Sequence, residues 1–113
     1  MTELRASGNM FRVDGWDAIW TSGPGAFFFS KVHDGDLDDG TPYIYETLVV
    51  RLPMNVDGGS DLAILPLKPA RPRKTPDTAW EFDGNREKPT LTPSVHCHGH
   101  WHGFIRAGRY ESC

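Results

Sequence analysis

At 113 residues the chain has the length of one domain, enough to bury a modest core without disulfide staples. A formal charge of −3 excludes general electrostatic attraction to nucleic acid and is too small to mark a DNA mimic. No apolar run reaches the roughly eighteen residues of a membrane-spanning helix, and the N-terminal MTELRASGNM has no signal-peptide apolar region, so the expectation is a soluble cytoplasmic protein in which the two cysteines are thiols or metal ligands rather than a disulfide.

The hydrophobic share is only 38%, but four Trp, six Phe and three Tyr can carry a core, because each ring buries more area than an aliphatic side chain. Twelve Gly and nine Pro make turns frequent and long helices unfavourable. The fold class this predicts is all-β, or mainly β with at most one short helix: a small antiparallel sandwich or partly open barrel built from hairpins, forming a single domain over 1–113.

In chain order, residues 1–8 are polar and expected to fray. Met10–Val13 and Trp16–Thr21 flank Asp14-Gly15, a two-residue hairpin signal that would set Val13 opposite Trp16. After the Ser22–Gly25 turn come Phe27, Phe28 and Phe29, which cannot all face one side of a strand, so both faces are covered or one ring is exposed. Residues 33–41 are an acidic loop. Its Asp34, Asp36 and Asp38 resemble the opening of a calcium loop, but Asp39 stands where that loop needs Gly and Tyr45 where it needs Glu, so a solvated turn is the better reading. Tyr43–Leu52 is apolar on both parities and reads as a central strand. Asp57-Gly58-Gly59 is the next turn, and Leu62–Leu67 is a short strand broken by Pro66, which places the proline at an edge or at a strand end. Residues 68–76 are rich in proline and base. They form an extended connector or loop, and Lys68, Arg71, Arg73 and Lys74 are the one patch through which phosphate, nucleic acid or an acidic protein surface could be met. Trp80–Asp83 is a strand ending in the Asp83-Gly84-Asn85 turn.

The C-terminal third carries a resemblance. Trp80, Asp83-Gly84-Asn85, Lys88-Pro89-Thr90-Leu91-Thr92-Pro93-Ser94-Val95 and His102-Gly103-Phe104-Ile105-Arg106-Ala107-Gly108 resemble a small family of phage and prophage proteins with no assigned activity. That family commonly has Cys before and Ser after the histidine, where this chain has Trp101 and Gly103. The resemblance implies a phage or prophage origin, hence the host cytoplasm, and no particular reaction.

Four of the five histidines, at 96, 98, 100 and 102, and both cysteines lie in the last eighteen residues. Ala107-Gly108 suits a tight hairpin that sets Arg106 opposite Arg109, Phe104 opposite Glu111 and His102 opposite Cys113. If His98-Gly99 is also a two-residue turn, Cys97 faces His100 and Val95 faces His102. Cys97, His100, His102 and Cys113 then share one face at the spacing a tetrahedral zinc ion accepts. A longer loop over 97–101 instead pairs His96 with His102, giving His96, His102 and Cys113 with an open coordination position. His102 belongs to both sets. His33 lies in the acidic loop, with nothing to bring it near. The plain alternatives are a histidine that hydrogen-bonds and orders the PTLTPS segment, and cysteines that fill core space. A Cys–His nucleophile pair is conceivable, but there is no G-x-S-x-G, phosphate loop or dinucleotide fingerprint.

Three functions follow as expectations. The first is a phage-type accessory protein that binds a host or phage protein, for example in counter-defence, with a structural zinc site. The second is a small metal-dependent hydrolase built on His102. The third is a phage structural component that oligomerises through an exposed Phe27–Phe29 face. None involves a membrane.

Overall fold

The computed structural model describes residues 7–53, 61–68, 79–97 and 101–112, with positions 61, 96 and 97 described by their backbone alone. Its elements in chain order are β1 (Ser7–Asn9), β2 (Phe11–Arg12), α1 (Trp16–Trp20), β3 (Ala26–Asp36), β4 (Pro42–Leu52), β5 (Asp61–Pro66), β6 (Glu81–Phe82), β7 (Leu91–Cys97), β8 (Trp101–Arg106) and β9 (Arg109–Ser112). They form two sheets, one ordered β1-β9-β8-β7-β6 and the other β2-β3-β4-β5. The mainly β sandwich with one short helix is therefore the observed class, and neither sheet closes into a barrel.

Period-two alternation explains how the sheets face each other. Phe27, Leu48, Val50, Leu52, Ala63 and Leu65 from one sheet pack with Leu91, Val95, Trp101, Ile105 and Tyr110 from the other in a single buried cluster. The opposite parity of the first sheet, Ala26, Phe28 and Val49, forms a smaller cluster with Ile19 of α1. The three adjacent phenylalanines are thus divided between two cores. Phe27 and Phe28 are buried and Phe29 is half-buried, its ring 5.2 Å from that of Phe82. No exposed Phe27–Phe29 face exists for oligomerisation. The β4 strand is central between β3 and β5, and β5, with Pro66 at its end, is an edge.

The Asp14-Gly15 hairpin does not form. Gly15 has φ 108 and ψ −160, outside the geometry of such a turn, and the chain continues into α1. Trp16, Ile19 and Trp20 stand at i, i+3 and i+4, the spacing of one helical face. Burying Ile19 and setting Trp16 edge-on to Phe28 at 5.0 Å outweighs the turn signal. Arg51 Nη1 donates to the carbonyls of Ile19 and Trp20, satisfying two of the helix's C-terminal acceptors. With α1 as the crossover, β2 pairs parallel to β3.

Ser7 and Gly8 belong to β1. They pair with Glu111 and Tyr110 of β9, and Gly8 is packed so closely on the Tyr110 ring that a Cβ would meet its hydroxyl at 2.6 Å. The acidic loop is a solvated turn as expected. Leu37 N donates to Thr41 O and Thr41 N to Asp39 Oδ1. The strand before it, however, runs on to Asp36, so His33 lies on β3 and pairs with Ile44 of β4. The turn at 57–59 lies outside the described residues, as do Arg71, Arg73 and Lys74 of the basic patch. Lys68 approaches Glu81 at 3.6 Å.

Candidate active site

The segment between β6 and β7 is held by side chains that bond to backbone. Asp83 Oδ1 accepts from Asn85 N and Thr90 N, and Asn85 Oδ1 accepts from Glu87 N and Lys88 N. Such short-range bonds are what Asp and Asn offer a turn. Thr90 Oγ1 then accepts from Ala107 N, and Gly108 N donates to Pro89 O, tying the segment to the β8–β9 turn. Two ion pairs fasten it to the other sheet, Arg12 with Glu87 at 2.8 Å and Arg86 with Glu46 through two 2.9 Å bonds. Arg86 also lies 4.8 Å from the centre of the Phe29 ring. The hydrogen bond to Glu46 raises the Arg86 pKa, outweighing desolvation, and the charge of Glu46 adds a smaller push in the same upward direction.

The β7 and β8 strands pair as Leu91↔Ile105, Val95↔Gly103, His96↔His102 and Cys97↔Trp101. Three residues of β7 (Thr92, Pro93 and Ser94) therefore lie opposite the single residue Phe104, a bulge that re-aims the chain. The Thr92–Pro93 peptide is cis. On the inner parity Val95, Trp101 and Ile105 are fully buried. Gly103 belongs to the same row for a steric reason: a Cβ there would meet the Trp101 ring at 2.6 Å and would collide with the Glu111 carbonyl. Trp101 and Gly103 thus form one unit, the indole lying across the space that a side chain at 103 would need.

On the outer face, Ser94 Oγ lies 3.2 Å from His102 Nε2, both residues half-buried. Trp80 Nε1 donates to Ser94 O at 3.3 Å, fixing the serine backbone from the opposite side. Along the His102 row, Phe104 is half-buried beneath Arg106, whose guanidinium carbon sits 4.2 Å from the ring centre and whose Nη2 is 3.4 Å from Glu111 Oε2. With Nδ1 carrying the proton, Nε2 of His102 accepts from the Ser94 hydroxyl, the arrangement in which imidazole acts as a base toward a serine nucleophile.

The observed register corrects one expectation about the histidine segment. Cys97 pairs with Trp101 and not His100, and Val95 with Gly103 and not His102, which is not the register a two-residue turn at His98-Gly99 would give. A one-residue slip exchanges the faces, and the observed choice buries Val95 and Trp101 together. The pairing of His96 with His102, the alternative register, is the one present. Downstream, Arg106↔Arg109 and Phe104↔Glu111 pair as predicted, with φ 48 at Ala107 and 75 at Gly108. His98, His100 and Cys113 lie outside the described residues. Among the described residues no three His, Cys, Asp or Glu side chains are placed to hold a metal ion, and His33 stands on the other sheet.

Ser94 is the residue that pattern reading of the sequence missed. It has no G-x-S-x-G around it, and its partner is eight positions away across a hairpin. The available signal was the resemblance, whose two densest blocks contain Ser94 and His102.

A hydrogen-bonded serine–histidine pair is part of the equipment of a serine hydrolase. Residues 56–113, just over half the chain, match the model of the family described as bacterial ubiquitination-like system serine protease (BubE), and the chain belongs to that family. No curated protein and no solved structure matches it. The family replaces the phage and counter-defence setting with a bacterial one, and it overturns the accessory binding protein, metal-dependent hydrolase and phage structural component as functions. Among the described residues no helix is long and apolar enough to cross a membrane.

Proposed function

We propose that this chain is a serine peptidase acting within a bacterial ubiquitination-like system, with Ser94 as nucleophile and His102 as general base. The observation that carries this reading is the 3.2 Å approach of Ser94 Oγ to His102 Nε2, inside the segment that matches the serine protease family. The family description also favours a protein as the partner and substrate.

The chemistry is acyl transfer in two halves. Ser94 Oγ attacks the carbonyl carbon of an amide while its proton passes to His102 Nε2. The carbon–nitrogen bond then breaks, and the imidazolium returns that proton to the leaving amine. Water attacks the resulting acyl ester, giving its proton to His102, and the carboxylic product leaves as Ser94 Oγ regains a proton. Trp80 acts as a positioning residue, since its bond to Ser94 O holds the backbone from which Oγ projects.

The test is covalent labelling. An alkyl fluorophosphonate phosphonylates an activated serine with loss of fluoride. Peptide mapping of the treated protein is expected to place one adduct on Ser94, absent in Ser94→Ala. No adduct, or one that persists in Ser94→Ala, would reject the assignment.

A further inference from the structure

Counting back from Val95↔Gly103, Ser94 stands beside Phe104, and its Oγ reaches diagonally to His102. Phe104 is the next outer residue of β8 after His102, and Arg106 is the one after that. The Arg106 side chain lies back along this row, its guanidinium carbon 4.2 Å from the centre of the Phe104 ring. A positive charge thus stands over the neighbour of Ser94, about 7 Å along the strand from the His102 position.

That charge is only loosely matched. Arg106 and Arg109 share one carboxylate, that of Glu111, with Nη2 of Arg106 at 3.4 Å and Nε of Arg109 at 3.8 Å. Both separations exceed the roughly 2.7–2.9 Å of a strong charge-assisted bond. Arg109 is held toward β1 by Nη1 donating to Asn9 Oδ1 at 2.7 Å. The Arg106 side chain is 55% exposed, and its contact with Glu111 engages Nη2 alone. A guanidinium carries five N–H donors in a plane, and stacking on a ring covers one face of that plane while leaving the rim able to donate.

The reaction determines which part of a substrate meets this charge. His102 returns a proton to the leaving amine, so the amine side of the scissile bond lies toward the imidazole. The acyl side extends from Ser94 the other way, toward Phe104 and Arg106. We infer that Phe104 and Arg106 form the subsite for the residue that contributes the scissile carbonyl, and that this residue is acidic, an aspartate or a glutamate. Its methylene groups pack on the half-buried Phe104 ring, and its carboxylate accepts from the rim of the Arg106 guanidinium. A lysine in that place would meet like charge. Arg106 selects the bond to be cut and takes no part in breaking it. This inference rests on the serine peptidase reading.

The test uses three tripeptide diphenyl phosphonates that differ only in the residue bearing phosphorus: the glutamate, glutamine or lysine analogue. In each, Ser94 Oγ bonds to phosphorus as phenol departs, and the rate of Ser94 modification is read by mass spectrometry. With the full chain the glutamate probe should react about fivefold faster than the glutamine probe, and the lysine probe slowest. In Arg106→Gln the difference between the glutamate and glutamine probes should vanish. In Glu111→Gln, which removes the competing carboxylate, it should grow. Each ratio is taken within one protein, so a general loss of activity cancels. Equal glutamate and glutamine rates in the unsubstituted chain, a ratio that survives Arg106→Gln, or one that Glu111→Gln does not raise would overturn the subsite. So would a glutamate probe that fails to react where an alkyl fluorophosphonate labels Ser94. Failure of the alkyl fluorophosphonate itself would overturn the peptidase reading, and this inference with it.

Discussion

The two faces of the β7–β8 pair differ in what their residues are for. Inward, Val95, Trp101, Gly103 and Ile105 meet the opposite sheet with no gap for a further atom at 103. Outward, across the same backbone, Ser94 and His102 form a half-buried polar pair. The difference teaches that stability and chemistry are assigned here by strand parity: the inner row sets the register, and the register sets which side chains meet outside. Outer-row substitutions should accordingly move the reaction with little change in the unfolding transition, whereas inner-row substitutions move the unfolding transition and reach the reaction only through the register.

The largest effect is expected outside. Ser94→Ala should lower turnover of any amide substrate by about 10⁴-fold or more, with urea unfolding changed by less than about 1 kcal/mol, because a half-buried hydroxyl is all that is removed. A destabilisation of several kcal/mol would show that Ser94 is a core residue. Inside, Trp101→Ala removes a fully buried indole and should cost about 3–5 kcal/mol in urea unfolding. A milder outcome would mean that the inner row does not set the register.

Gly103→Ala comes next, at about 1–3 kcal/mol, since the added Cβ meets the Trp101 ring and the Glu111 carbonyl. This substitution sharpens the comparison, because it changes only the inner row between Trp101 and Ile105, yet it should also slow Ser94 labelling by shifting β8 under His102. Trp80→Phe keeps an aromatic ring, smaller than the indole, and deletes the donor to Ser94 O. Its expected cost is about 1 kcal/mol, seen chiefly as slower labelling rather than as easier unfolding.

The sequence made the scaffold more legible than the site. The β8–β9 hairpin was readable to the residue, because Ala107-Gly108 dictates Phe104↔Glu111 and Arg106↔Arg109 by local backbone geometry alone. The central position of β4 followed from its two apolar parities. Asp14-Gly15 misled, since a five-residue helix is too short to announce itself by periodicity and wins only through the tertiary burial of Ile19. The β7–β8 register was open for a related reason: Cys97 to Trp101 contains no compulsory turn, and the deciding contact, Trp101 against the far sheet, is not local. His102 stood out by its chemistry. Ser94 did not, because a serine becomes a nucleophile only through its partner, and a bulge opposite Phe104 brings the two together.

The central claim is that His102 activates Ser94. It is tested most directly by the rate at which an alkyl fluorophosphonate modifies Ser94 in His102→Gln, with circular dichroism and urea unfolding recorded on the same samples. A fall of about 10³-fold or more, with the fold retained, is the result expected of a lost general base. An unchanged rate in a folded His102→Gln protein would contradict the account.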